Sequence, residues 1–97
     1  MSPEEKFLQL AKVPPVIQLP DHLPFTLFHL DNELLYLSGH GSGWGNDFSV
    51  NSGKIGKDLS IEEGIIAAEA CALNLLQTTR SALGSLNAVD QIIEVFG

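Results

Sequence analysis

The sequence is poor in cysteine and in basic residues, and it has no long uninterrupted apolar run. Among 97 residues there is one cysteine, and five basic residues stand against twelve acidic ones. A single cysteine excludes an internal disulfide framework, and a net charge of −7 repels phosphate backbones and anionic lipid surfaces. No apolar run approaches the roughly 20 residues that cross a bilayer, and no signal-peptide pattern opens the chain. We therefore expect a cytoplasmic protein whose partners include neither nucleic acid nor membrane.

Charged residues are also scarce. They make up 18% of the chain, whereas hydrophobic residues make up 44%, and an average soluble domain is about 25% charged. A chain of this length forms one domain with one helix-on-sheet core. The surplus of apolar residues indicates that part of the surface is covered by another subunit.

The first 24 residues are predicted to form a short helix and a connector. Ser2 precedes a proline and lies three residues before Glu5, which is the pattern of a capping box. A helix to about Lys12 is expected. Four prolines between positions 13 and 24 hold the backbone extended and remove hydrogen-bond donors, so this stretch is a connector laid over the core and not a strand.

Residues 25–97 are predicted to form the core. Two β-favouring segments, 25–30 and 33–38, flank Asp31-Asn32, a pair that tolerates the backbone angles of a tight turn. They indicate an antiparallel hairpin. The segment 88–96 ends in a β-branched and aromatic run and is expected to be a third strand beside this hairpin.

One long helix is predicted from Ser60 to Leu83. Ser60 and Glu63 form a second capping box, and Gly84 supplies a left-handed end. An apolar stripe with spacings of three and four is predicted to face the sheet. Its members are Ile61, Ile65, Ala68, Ala72, Leu75 or Leu76, Thr79 and Leu83.

The segment 39–56 contains six glycines and is expected to be a loop that is mobile at its centre. It superficially resembles a phosphate-binding loop, but no Lys-Ser/Thr pair follows it and the next helix starts only at Ser60. The simpler interpretation is a strand-to-helix connection that Trp44 anchors on the surface or in an interface.

Other chemistry is weakly indicated. The histidines and nearby aspartates lack the spacing of a metal site, so neither a metal nor another cofactor is expected. They are His22, His29, His40, Asp31 and Asp47. Ser38 with His40 is a conceivable nucleophile and base, although residues two apart on a strand need not touch. Cys71, inside an alanine-rich helix, is expected to be an inert small hydrophobe.

Taken together, four segments of the chain resemble the YjgF/Rid family of reactive enamine/imine deaminases, some members of which are labelled putative endoribonucleases. They are 32–41 (NELLYLSGHG), 56–64 (GKDLSIEEG), 68–76 with Asn74-Leu75-Leu76, and 82–86 (ALGSL). The resemblance implies a chorismate-mutase-like α+β fold, assembled as a homotrimer with clefts between subunits. It implies a small carboxylate or imine as ligand, bound near Phe25, Ser38, Gly39, His40 and Trp44.

The sequence departs from that family in three ways. His40 stands where the family has glutamine, and Phe25 lacks the hydroxyl of the family's tyrosine. The chain also ends before the strands that carry the substrate-clamping arginine, so a C-terminally truncated fold is expected, and the chain's one arginine, Arg80, is expected to be structural. We therefore expect a homo-oligomer that binds a small molecule without full deaminase activity.

Two alternatives stay open. In an active deaminase, Ser38 or the backbone near Gly39 would position water, and Lys54 or Lys57 of a neighbouring chain would replace the arginine. Ribonuclease activity is suggested by the family label alone, and the acidic charge argues against it.

Overall fold

The computed structural model describes residues 1–44 and 53–97. Along the chain, helix α1 (Pro3–Leu8) is followed by strands β1 (Phe28–Asp31) and β2 (Leu34–Leu37), then by helix α2 (Ile61–Leu83) and a 3₁₀ turn (Leu86–Ala88). The fold is α+β, with a two-stranded antiparallel sheet and one long helix. The predicted mobile centre of the 39–56 loop includes residues outside the described ranges.

The predicted hairpin is confirmed, with shorter strands and a turn shifted by one residue. β1 and β2 pair antiparallel, with Asp31 opposite Leu34 and Phe28 opposite Leu37. Asn32 and Glu33 therefore form the turn, and Asn32 has a φ of 55°. Asparagine visits this left-handed region more readily than most residues, which explains its place in the turn.

The predicted long helix is also confirmed. The Ser60 hydroxyl accepts the Glu63 N–H, and the Glu63 carboxylate accepts the Ser60 N–H, so both halves of the capping box form. At the other end Gly84 has a φ of 84°, and its N–H donates to the Arg80 carbonyl. A glycine is suited to this position because a Cβ would be strained there.

The predicted core face of α2 is wrong over its first four turns. Ile61, Ile65 and Ile66 are exposed, as are Ala68, Ala72 and Leu76. The side packed inward is a second stripe of small and polar residues, which are buried or half-buried. These are Gly64, Ala67, Cys71, Asn74 and Thr78.

Both stripes have helical spacing. The prediction took the more hydrophobic stripe as the buried one, and that is the exposed face in the structure. The small residues allow neighbouring segments to lie close to the helix. At Gly64, for example, an added Cβ would lie only 2.6 Å from the Ile55 Cδ1. Asn74 donates to the backbone of the glycine-rich loop instead of leaving it unpaired, and Thr78 bonds to the His40 ring. Thr79 is buried and Leu83 half-buried, as predicted.

The predicted third strand is wrong for this chain. Residues 89–97 are not in a strand, and the side chains of Ile92, Ile93, Val95 and Phe96 are 70–94% exposed. After α2 the chain instead makes the 3₁₀ turn, in which Leu86 is buried and which packs against α1 and α2. β-propensity favours a strand only when an edge lies in reach and in register.

The N-terminal segment lies against α2 as predicted for a connector. Ser2 caps α1 through the predicted capping box, but the helix ends at Leu8, four residues before Lys12. Such a short helix depends on packing, and Phe7 is its one buried residue. In the connector, Pro14 and Ile17 are buried, and the Gln77 side-chain amide donates to the Pro14 carbonyl at 2.6 Å. Among the described residues, no helix has the length and hydrophobicity needed to cross a membrane.

Candidate functional site

The candidate site begins where the hairpin ends. The Ser38 N–H donates to the Leu27 carbonyl at 3.0 Å, which extends the strand ladder by one pair. The Ser38 hydroxyl donates to the Thr26 carbonyl. Ser38 is thereby joined to the segment that carries Phe25, which is 53% exposed.

His40 connects this strand end to α2. Its Nδ1 lies 2.6 Å from the Ser38 carbonyl oxygen and its Nε2 lies 2.8 Å from the Thr78 hydroxyl. A carbonyl only accepts, so Nδ1 carries the proton and donates. In the neutral ring Nε2 is then an acceptor, and the Thr78 hydroxyl donates to it.

This arrangement does not make Ser38 and His40 a nucleophile and its base. The ring contacts the Ser38 carbonyl, and the Ser38 hydroxyl proton is directed to Thr26. Thr78 and His40 have the hydrogen bond that such a pair requires, but Thr78 is only 2% exposed. A substrate cannot reach its hydroxyl. The His40–Thr78 contact therefore fixes the strand end on the helix.

One turn before Thr78, Asn74 fixes the glycine-rich loop. Its side-chain amide donates to the carbonyls of Gly41, at 2.9 Å, and Gly43, at 2.7 Å. Asn74 is 1% exposed, and its Oδ1 has no hydrogen-bond partner among the described residues. These bonds hold the backbone leading to Trp44, whose side chain is 45% exposed.

Hydrogen bonds and chain neighbours therefore connect the predicted site residues to the end of β2 and to α2. Ser38, Gly39 and His40 follow the end of β2, and Phe25 is connected to them through Thr26. Trp44 follows the loop that Asn74 holds. Gly39 is exposed, and no atom would lie within 4 Å of a Cβ placed there.

A shallow groove of about 360 Å³ lies beside Phe25. It is mainly apolar, and its one charged lining residue is acidic, so the groove offers no cation to a carboxylate ligand. The lining residues are Leu19, Pro20, Asp21, Leu23, Phe25, Thr26, Leu27 and Phe28. A second groove, of about 470 Å³, lies between the segment 10–12 and α2.

Arg80 has the structural position that the sequence predicts. Its Nε lies 2.7 Å from the Glu4 carboxylate, which also accepts the Leu86 N–H at 3.0 Å. The Leu86 N–H and the Arg80 guanidinium hold the pKa of Glu4 below its ordinary value. The chain's arginine therefore ties α1 to the end of α2.

Sequence reasoning missed three buried polar residues of α2: Asn74 and Thr78, which hold the site, and Gln77, which holds the connector. Their signal was present: polar side chains three and four positions apart in an apolar helix are buried only if they have partners.

Cys71 is half-buried. Within residues 1–44 and 53–97, no three histidine, cysteine, aspartate or glutamate side chains come together as metal ligands; Asp47 lies outside these ranges.

Comparison with known proteins finds a similar structure whose function is unknown. No protein-family model matches the chain, and no curated protein matches it. A solved structure, that of the protein Atu1372 of unknown function from Agrobacterium tumefaciens, is similar with a TM-score of 0.68 and 28% sequence identity. The match covers 87% of this chain and 48% of that one, so the chain spans about half the length of the structure it resembles.

Proposed function

We propose that the chain is a self-associating, YjgF/Rid-like small-molecule-binding protein that lacks full deaminase activity. In this proposal Phe25, Ser38, Gly39, His40 and Trp44 form one wall of a cleft, and a second copy forms the other. The ligand is a small carboxylate or imine whose apolar part lies against Phe25 and Trp44.

The observation that carries this proposal is the hydrogen bonding of Ser38 and His40. The Ser38 hydroxyl and both ring nitrogens of His40 have protein partners, so neither residue is poised as a nucleophile or general base. The exposed Phe25 and Trp44 side chains remain as contacts for a ligand. The hydrogen bonds to Thr26 and Thr78 fix Ser38 and His40 in position, which suits residues that form the wall of a binding cleft.

The alternative of an active deaminase has one observation in its favour. Lys54 and Lys57 are exposed on the turn before α2, and within the described parts of the chain neither takes part in an ion pair. An ammonium from a neighbouring copy would supply the cation that the groove beside Phe25 lacks, though without the bidentate geometry of an arginine.

Ammonia release and ligand binding distinguish the two functions. With 2-aminoacrylate generated in situ, the binding proposal predicts no release above the uncatalysed rate, whereas 2-oxobutanoate should change the fluorescence of Trp44, the chain's one tryptophan. Release at a rate comparable to an intact family deaminase would overturn the proposal. If that release fell in Ser38→Ala or Lys54→Ala, the alternative would be supported.

A further inference from the structure

We propose that residues 92–96 of one copy add as a third strand to the outer edge of β2 in a second copy. This inference rests on the self-association in the proposed function and specifies the surfaces through which it occurs. The complex is then built by backbone pairing between copies, with every copy able to donate one segment and accept another.

The donor is the exposed C-terminal run that the sequence predicts to be a strand. Its aliphatic and aromatic side chains are 70–94% exposed, with Phe96 the most exposed. Within the described parts of the chain, residues 90–97 make no hydrogen bond. A β-branched run with free backbone groups and exposed side chains is the segment most suited to pair with a sheet edge.

The acceptor edge follows from the hairpin register. The Ser38 N–H to Leu27 carbonyl bond marks that pair as hydrogen-bonded, so alternation makes His29–Tyr36 and Asp31–Leu34 the next such pairs. Leu35 and Leu37 must then direct their backbone N–H and C=O groups away from β1. Among the described residues, no strand lies on that side of β2.

The other edge of the sheet is less open. On β1, the same alternation directs the backbone of Phe28 and Leu30 outward. The Phe28 carbonyl already accepts the Thr26 hydroxyl at 3.0 Å. Length does not separate the two edges, since five residues span about 16 Å and each of the four-residue strands about 13 Å. We therefore assign the β2 edge as the acceptor.

The accessible surface supports a second copy as the occupant. The chain exposes 7262 Å², whereas a compact monomer of 10.5 kDa exposes about 5,400 Å². The excess of about 1,800 Å² compares with about 800 Å² buried per partner in a standard interface. It is enough for one donating and one accepting contact. Donor and acceptor are both present in this one sequence, which favours a second copy as the occupant.

A matched pair of double variants tests backbone pairing against simple hydrophobic adhesion. Ile92→Pro with Ile93→Pro keeps apolar side chains but removes two successive N–H groups, one of which faces the ladder in any register. Ile92→Thr with Ile93→Thr keeps both donors and the β-branched shape but removes apolar surface. Neither pair touches the packed core, because both side chains are exposed.

Sedimentation equilibrium over a range of concentrations is the readout, with hydrogen exchange of the 92–96 amides as a second one. The proline pair should weaken association at least about tenfold, the equivalent of one or two lost ladder bonds, and the threonine pair should weaken it less. In the wild type, the amides should become protected as the concentration rises.

Each contrary result overturns a defined part of the proposal. An oligomer that tolerates the proline pair removes the strand addition but leaves self-association intact. A monomer at every concentration removes both. Amides that are protected in a monomer would mean that the segment folds back on its own hairpin, which also contradicts pairing between copies.

Discussion

Replacing Asn74 by aspartate tests whether the amide that holds the glycine-rich loop organises this end of the molecule. The side chain is 1% exposed and donates to two backbone carbonyls, at 2.9 and 2.7 Å. Asn74→Asp keeps the size but removes both donors and places a carboxylate against two carbonyl oxygens. The buried bond to Gly43 contributes about 2 kcal/mol and the partly buried bond to Gly41 about 1 kcal/mol. The free energy of unfolding should therefore fall by about 3 kcal/mol.

Asn87 provides the matched control, because its side chain accepts where that of Asn74 donates. The Asn87 Oδ1 accepts the Glu4 N–H at 3.1 Å at an exposed site, and an aspartate can continue to accept that bond. Asn87→Asp should therefore change the free energy of unfolding by no more than about 0.5 kcal/mol.

Urea unfolding followed by far-ultraviolet circular dichroism, at one protein concentration for all three proteins, measures this difference. The difference in free energy of unfolding between the wild type and Asn74→Asp should be smaller at low pH, because a protonated carboxyl regains one hydrogen-bond donor. Equal unfolding midpoints for the two variants would refute the assignment of Asn74 as the loop anchor. Loss of the Trp44 fluorescence response to ligand in Asn74→Asp alone would connect that anchor to binding.

Two further predictions concern the ends of the helices. The pKa of Glu4 is lowered in the folded chain, so its stabilising contribution is present above its ordinary pKa of 4.5 and is lost as pH falls. Glu4→Gln should thus lower the melting temperature near neutral pH but have little effect well below that pKa. The same decrease in melting temperature at both pH values would contradict the ion pair. Glu33→Gln, at an exposed position, is the control. Gly84→Ala should cost about 1 kcal/mol in urea unfolding because φ is 84°. Gly39→Ala, where a Cβ meets no atom within 4 Å, should cost less, and equal costs would argue against strain at Gly84.

Local signals of the sequence predicted the elements that depend on local chemistry. The Ser60 capping box and Gly84 placed the ends of α2 correctly, and the Ser2 capping box placed the start of α1, because caps satisfy backbone groups within a few residues. The hairpin was predicted by composition and turn residues, with the turn misplaced by one position.

Features that depend on tertiary contacts were not predictable in the same way. The choice of the inward face of α2 depended on polar partners contributed by the 38–43 segment, which periodicity does not contain. The 92–96 run has the composition of a strand, but composition does not supply an edge in register. At the candidate site, sequence identified Ser38 and His40 but not Asn74 and Thr78, the helix residues that hold them and the following loop in place.

The mass of the wild-type protein in solution, measured by size-exclusion chromatography with light scattering, tests the central claim most directly. The cleft and the strand addition both require a second copy, and the copies repel one another through a net charge of −7 each. We predict a mass that is a multiple of 10.5 kDa and that grows with protein concentration and with added salt, which screens the repulsion. A mass of 10.5 kDa at every concentration and salt level would contradict the account.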